Sequence, residues 1–210
     1  MKRAARRGAW MGIATTPGQE AIRDDAPEWE AAVLANARDN PAAFGPLYER
    51  YFPRVYAYCL RRVGRPEEAE DLASVVFTRA LVGLGGYRGG SVAAWLFRIA
   101  RNAAANHLRA RRPQVSLDGA DTALAATLAA ADDQPLQRVV DAEERAQLAR
   151  LIATLPAQQR EILTLTVVGE LSAREVGAVL GKSEGAIWTA LHRATQQLRT
   201  AHRRLVEEGQ

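Results

Sequence analysis

The arginines between Leu72 and Leu117 are the residues whose types and spacing point most directly to chemistry. No Asp or Glu interrupts that stretch, while Arg79, Arg88, Arg98, Arg101, Arg109, Arg111 and Arg112 all fall inside it. A solvated helix normally mixes signs along its exposed face, and guanidinium is the side chain suited to phosphate. Single-sign charge beside a glycine turn carrying Tyr87 therefore suits a nucleic acid; the alternative is a basic solvated helix. Catalysis finds no support in the same stretch. It holds no carboxylate for a metal, and Ser74 and Ser91 have no arranged base. His107 and His192 lack partners at metal-ligand spacing. The expectation is no catalytic residue, no metal, no cofactor, and a protein that is not an enzyme.

Helices must position these arginines. Ser91 is an N-cap candidate after Gly89-Gly90, and the run that follows has helical period. Val92, Trp95, Leu96, Ile99 and Ala103 share one face, which reads Trp95 as a core residue, with base-stacking as the alternative. Arg98, Arg101, Asn102, Arg109 and Arg112 cluster roughly 120° away. Upstream, Pro27 to Arg38 reads as a short helix with Trp29, Val33 and Ala37 in phase. Asn40-Pro41 opens the next, in which Pro53 predicts a kink or a break before the stop at Gly64. Pro66-Glu67-Glu68 starts a third, with Ala69, Ala73, Val76, Phe77, Ala80 and Leu84 inward. Its far side carries Asp71, Ser74, Val75 and Thr78. Val75 beside Leu72 reads either as a partner surface or as a stray surface valine.

Composition changes abruptly after Arg112. Residues 113–137 contain Asp118, Asp121, Asp132 and Asp133, no basic residue and much alanine, which reads as an acidic linker with a nascent helix near 123–131. Helical period then resumes with Leu148, Leu151, Ile152 and Leu155, restarts at Pro156, and stops at Gly169. Ser172 and Glu175 form a capping box, and Gly181 ends that short helix. Ser183 caps another, with Ile187, Leu191, Ala194 and Leu198 inward and Thr189, His192, Arg193, Gln196, Arg199 and Arg203 outward. Two capped helices joined by a glycine turn make a helix-turn-helix, a DNA-binding unit. Trp188 lies at the edge of the buried stripe, placed to pack on the preceding helix.

The chain is thus all-α, with two small helical domains. Its boundaries are read as a disordered basic extension over 1–26, a first domain over 27–112, the linker, and a helix-turn-helix domain over 138–207. Its 210 residues carry 48% apolar side chains, enough for two cores, and Cys59 alone permits no internal disulfide. No apolar run approaches the ~20 residues of a membrane span, so a cytoplasmic protein without a membrane partner is expected.

The stretches WLFRIARN, LPAQQREILTL and SEGAIWTALHRA, in this order and spacing, resemble a bacterial RNA polymerase sigma factor of the extracytoplasmic-function group. The resemblance implies that Asp71, Leu72, Ser74, Val75 and Thr78 bind core polymerase. It assigns melting and reading of the −10 element to the stretch holding Tyr87, Arg88, Arg98, Arg101, Asn102 and Arg109. It assigns the −35 element to the second domain, where helical geometry selects Ser183, Thr189, His192, Arg193, Gln196 and Arg199. Core RNA polymerase, promoter DNA and an anti-sigma factor are the implied partners. The chain departs from the family at Ser74-Val75, where Gln-Glu is usual, and at Trp188 and Ala190, where Lys and Arg are common. A stand-alone helix-turn-helix regulator is the alternative; it leaves the basic first domain unexplained. A sigma-like decoy is a further alternative that these departures allow.

The resemblance also implies that the linker runs through polymerase toward the RNA exit path, its acids mimicking RNA. Changing Asp118, Asp121, Asp132 and Asp133 together to Asn should then weaken core binding or initiation without altering the melting temperature of the free protein. Wild-type runoff transcription from that variant at physiological salt would reduce the segment to a passive spacer.

Overall fold

A computed structural model describes residues 28–110 and 147–208; the basic extension, the linker and its nascent helix lie outside them. The described residues form helices joined by short turns. These are α1 (Glu28–Ala37), α2 (Gly45–Val63), α3 (Pro66–Val82), α4 (Val92–Ala110), a helical stretch over 147–153, α5 (Ala157–Val167), α6 (Ala173–Leu180) and α7 (Glu184–Glu208). The all-α expectation holds.

Local signals account for most boundaries. Asn40 Oδ1 accepts the Ala42 N–H, but the element it caps is a 3-10 turn, Pro41–Phe44, that runs into α2. Gly64 ends α2 with φ 74°, a left-handed conformation suited to glycine. Pro53 lies inside α2 without breaking it, on the solvent side, where water can satisfy the carbonyl that loses its amide partner. Acidic Glu67 and Glu68 occupy the first turn of α3, favoured by the helix dipole.

Helices α2, α3 and α4 make the first core. Leu47, Val55, Tyr58, Cys59, Val76, Leu96 and Phe97 are among its fully covered members, with Tyr58 edge-on to Phe97 at 5.6 Å. The inward set read for α3 is buried throughout. So is Leu72, at 4% exposure, which removes its side chain from the surface set assigned to polymerase. Helix α1 buries Ala37 as expected, but its first turns are rotated: Glu30 and Leu34 are buried, Val33 is half-buried and Trp29 is outward. The cause is polar. Tyr51 Oη donates to Glu30 at 2.8 Å and Arg50 pairs with it at 3.4 Å, so a carboxylate takes a core seat. Burial raises the Glu30 pKa, while Tyr51 and the arginines oppose that shift. Arg50 also lies over the outward Trp29 ring, 5.4 Å from its centroid.

In the second half, Leu148, Leu151, Ile152 and Leu155 pack with Leu163, Val168, Ala194 and Leu198. The Ser172–Glu175 capping box is complete, and Gly181 takes φ 67° after α6. Gly177 permits the close approach of the turn that leads into α7, whose first amide, that of Glu184, would be 3.7 Å from a Cβ there. A Cβ there would lie 2.6 Å from the Lys182 carbonyl oxygen. Gly177→Ala should therefore cost about 1–3 kcal/mol, whereas Gly185→Ala, with nothing within 4 Å, should be neutral or stabilise α7. Thermal unfolding of the two variants checks the contrast.

Candidate nucleic-acid interface

The glycine turn folds back upon itself. Gly89 and Gly90 take φ 97° and 90°, which side chains with a Cβ rarely adopt. Tyr87 Oη donates to the Gly90 carbonyl at 2.5 Å, and Arg88 Nη1 to that of Gly85 at 2.7 Å. Ser91 Oγ then accepts the Ala94 N–H at 3.1 Å, capping α4 as expected. The loop frames a cavity of about 340 Å³ lined by Tyr87, Arg88, Ser91, Trp95, Arg98 and, from α6, Ala178. A second cavity of about 390 Å³, toward α1, shares Tyr87 as a wall. Burial raises the Tyr87 pKa, so its hydroxyl stays protonated and able to donate.

Trp95 is not the core residue its periodicity suggested. It is half-buried and lies against Tyr87, ring centroids 5.2 Å apart, facing the cavity. Phe97 holds the core seat, fully buried, and the spacing pattern missed it because α4 is apolar on two sides. Arg98, Asn102 and Arg109 are exposed on the third side. Arg109 Nη2 is held by Asn106 Oδ1 at 2.5 Å. Arg101 is half-buried, its Nε 3.7 Å from Glu161 on α5. His107 faces Glu68 at 3.1 Å. Among the described residues no group of His, Cys, Asp and Glu could hold a metal.

On α3, Asp71, Ser74, Val75 and Thr78 are exposed together, and Val82 extends the same face at 84% exposure. Val82 stands seven residues after Val75, a spacing that could have identified it. Helix α7 presents Thr189, His192, Arg193, Gln196 and Arg199, all exposed, with Ser183 capping the helix through the Ala186 N–H. Thr189 Oγ1 donates back to the Gly185 carbonyl at 2.9 Å. Trp188 does not pack on the preceding helix. It is 50% exposed, with Nε1 donating to Glu184 at 3.3 Å, and so joins the outward face.

A basic helix beside a self-tied glycine loop, followed by a helix-turn-helix with an open second helix, defines a nucleic-acid-binding protein of two readers. Family models agree on both halves: Sigma-70 region 2 matches residues 47–114 and Sigma-70, region 4 matches 145–198. The chain is 37% identical over 158 residues to the ECF RNA polymerase sigma factor BldN of Streptomyces coelicolor, covering 74% of this chain and 59% of that protein. It is 31% identical over 163 residues to the ECF RNA polymerase sigma factor SigW of Bacillus subtilis, covering 75% of this chain and 87% of SigW. The solved structure of CnrH in complex with the cytosolic domain of CnrY is similar at a TM-score of 0.58 and 25% identity, over 81% of this chain and 94% of that one. The chain belongs to the extracytoplasmic-function family of RNA polymerase sigma factors.

The placement of Trp95 separates two variants. Phe97→Ala should cost about 3–5 kcal/mol, as for a fully buried ring, and be seen as a large drop in melting temperature. Trp95→Ala should remain folded by circular dichroism while losing affinity for single-stranded DNA in the presence of core polymerase.

Proposed function

We propose that this chain binds core RNA polymerase and directs it to promoters through the two readers, with no catalysis of its own. The observation that carries the reading is their combination in one chain. One reader is an exposed helix-turn-helix face; the other is a cavity walled by Tyr87 and Trp95 and flanked by Arg98. A base that leaves the stack needs an aromatic wall and a basic track for its backbone. Tyr87, Arg88 and Trp95 supply the wall and mouth, and Arg98, Arg101, Asn102 and Arg109 the track for the −10 strand. Helix α7 enters the major groove at −35, with Thr189, His192, Arg193 and Gln196 toward base edges and Ser183, Arg199 and Arg203 toward phosphates.

Polymerase is assigned to the exposed face of α3, Asp71, Ser74, Val75, Thr78 and Val82, an apolar stripe with a polar rim. An anti-sigma factor is the proposed regulator; the similar CnrH was solved with a protein partner, the cytosolic domain of CnrY. The cytoplasm is the proposed compartment, and no helix among the described residues is long and apolar enough to cross a membrane. A stand-alone helix-turn-helix regulator would leave the glycine loop and its basic flank without a ligand.

Runoff transcription with core polymerase on a promoter library tests the assignment. Arg193→Ala or Gln196→Ala should relax preference at particular −35 base pairs, each bidentate contact contributing about 1–3 kcal/mol of discrimination. Arg199→Ala should weaken all promoters alike and flatten the salt dependence by about 0.9 in the log–log slope. Equal losses with unchanged sequence preference from Arg193→Ala and Gln196→Ala would remove the base-reading role.

A further inference from the structure

The two readers are not equally open. The second half packs against the first along α2 and α4, and two polar contacts of that seam, at Arg101 and Ser91, reach the strand-binding side. Glu161 of α5 receives the Tyr58 hydroxyl at 2.8 Å, a guanidinium N–H of Arg62, and the approach of Arg101 at 3.7 Å. Its side chain is only 11% exposed. Glu175 of α6 accepts the Ser91 hydroxyl at 2.5 Å, at the mouth of the glycine loop, and Ala178 closes one side of the cavity. Around these acids the seam is well made. Arg61 Nε donates to Thr164 Oγ1 at 2.7 Å, and Arg54 Nε to the Gly169 carbonyl at 3.0 Å. Leu165, Leu171, Val176 and Ile187 join the same apolar cluster as Leu96 and Phe97. A Cβ on Gly169 would lie 3.1 Å from the Phe97 ring, so the backbone of one half is seated directly on the other.

We propose that the second half of this chain occupies the single-strand site of the first, with Glu161 and Glu175 standing where phosphates of a melted strand would sit. A carboxylate and a phosphodiester make the same charge-assisted contacts to guanidinium and hydroxyl groups. Arg101 and Ser91 cannot serve both. Packing of the halves and binding of a single strand are therefore mutually exclusive, and each weakens the other by the same factor. The outward face of α7 is untouched by the seam, so the free chain keeps its duplex reader open while its strand reader is covered. This inference rests on the reading of α4 and the glycine loop as the strand site.

The test uses the full-length chain without polymerase and a fluorescein-labelled, mixed-sequence single-stranded DNA of about 20 nucleotides. Glu161→Gln should bind it about tenfold more tightly than wild type, the gain expected when a form open in one molecule in ten becomes dominant. Glu175→Gln, which keeps a capping box because Gln serves at that position, is the second variant should Glu161→Gln fail to fold. It should show a gain in the same direction. Glu67→Gln, an exposed acid on α3 outside the seam, controls for the change in net charge and should bind as wild type. Spin labels at Glu70→Cys and Thr200→Cys, both exposed positions on opposite halves, read the packing. A narrow distance distribution should broaden in Glu161→Gln and on saturation of the wild type with the strand. Three results would overturn the proposal: gains no larger than that of Glu67→Gln, a strand that binds while the narrow distribution persists, or a distribution already broad in the free wild type. Runoff transcription by the wild type separates these from failure of the underlying reading, since a chain that initiates normally can still lack the occlusion.

Discussion

Helix α4 has to satisfy three environments at once, and the rest of the structure follows from how it does so. One side, with Val92, Leu96 and Ala103, belongs to the bundle with α2 and α3. A second, with Phe97 and Ala100, is also fully buried and is covered in part by the second half through Leu165 and Gly169. The third holds Arg98, Asn102 and Arg109 in solvent. Stripping the second half away would uncover the side of the Phe97 ring on which Gly169 sits. The small side chains Ala93, Ala94, Ala100 and Ala104 are what allow partners to approach the helix on more than one side.

Charge is distributed to match that division. Arg54, Arg61 and Arg62 on α2 turn their guanidinium groups into the seam and meet carbonyls, a hydroxyl and a carboxylate there. Arg54 also lies over the Tyr51 and Phe97 rings, at 5.2 and 5.8 Å. These are arginines doing structural service close to others proposed to meet DNA. Tyr58 belongs to the same group: burial, reinforced by Glu161, raises its pKa well above the ordinary phenol value, so it remains a donor at any physiological pH.

What was legible in the sequence was what is local. The Ser172–Glu175 box, the Gly181 stop, the Ser91 cap and the inward face of α3 depend on residues a few positions apart, and each appears as read. Misplacements share a different cause. Apolar period places Trp29 inside because it takes no account of Glu30, whose burial depends on Tyr51 from the next helix. Trp95 falls in the apolar stripe by period, but α4 buries two faces, and the indole lies at their edge against Tyr87. Leu72 joins the polymerase set only through the resemblance, and it is an inward residue of α3. The seam itself was illegible: it joins residues such as Tyr58 and Glu161, 103 positions apart, and no spacing rule reaches across that distance.

Cys59 is the only cysteine of the chain, and it is fully buried in the first core. Desolvation pushes its pKa up to about 12, so at neutral pH the thiolate that alkylating agents and peroxide attack is scarce. The protein's native sulfhydryl chemistry is therefore silent for as long as the first core stays folded. Reaction of Cys59 with a thiol reagent becomes a clock for the opening of that core, readable on the unaltered protein without any introduced probe.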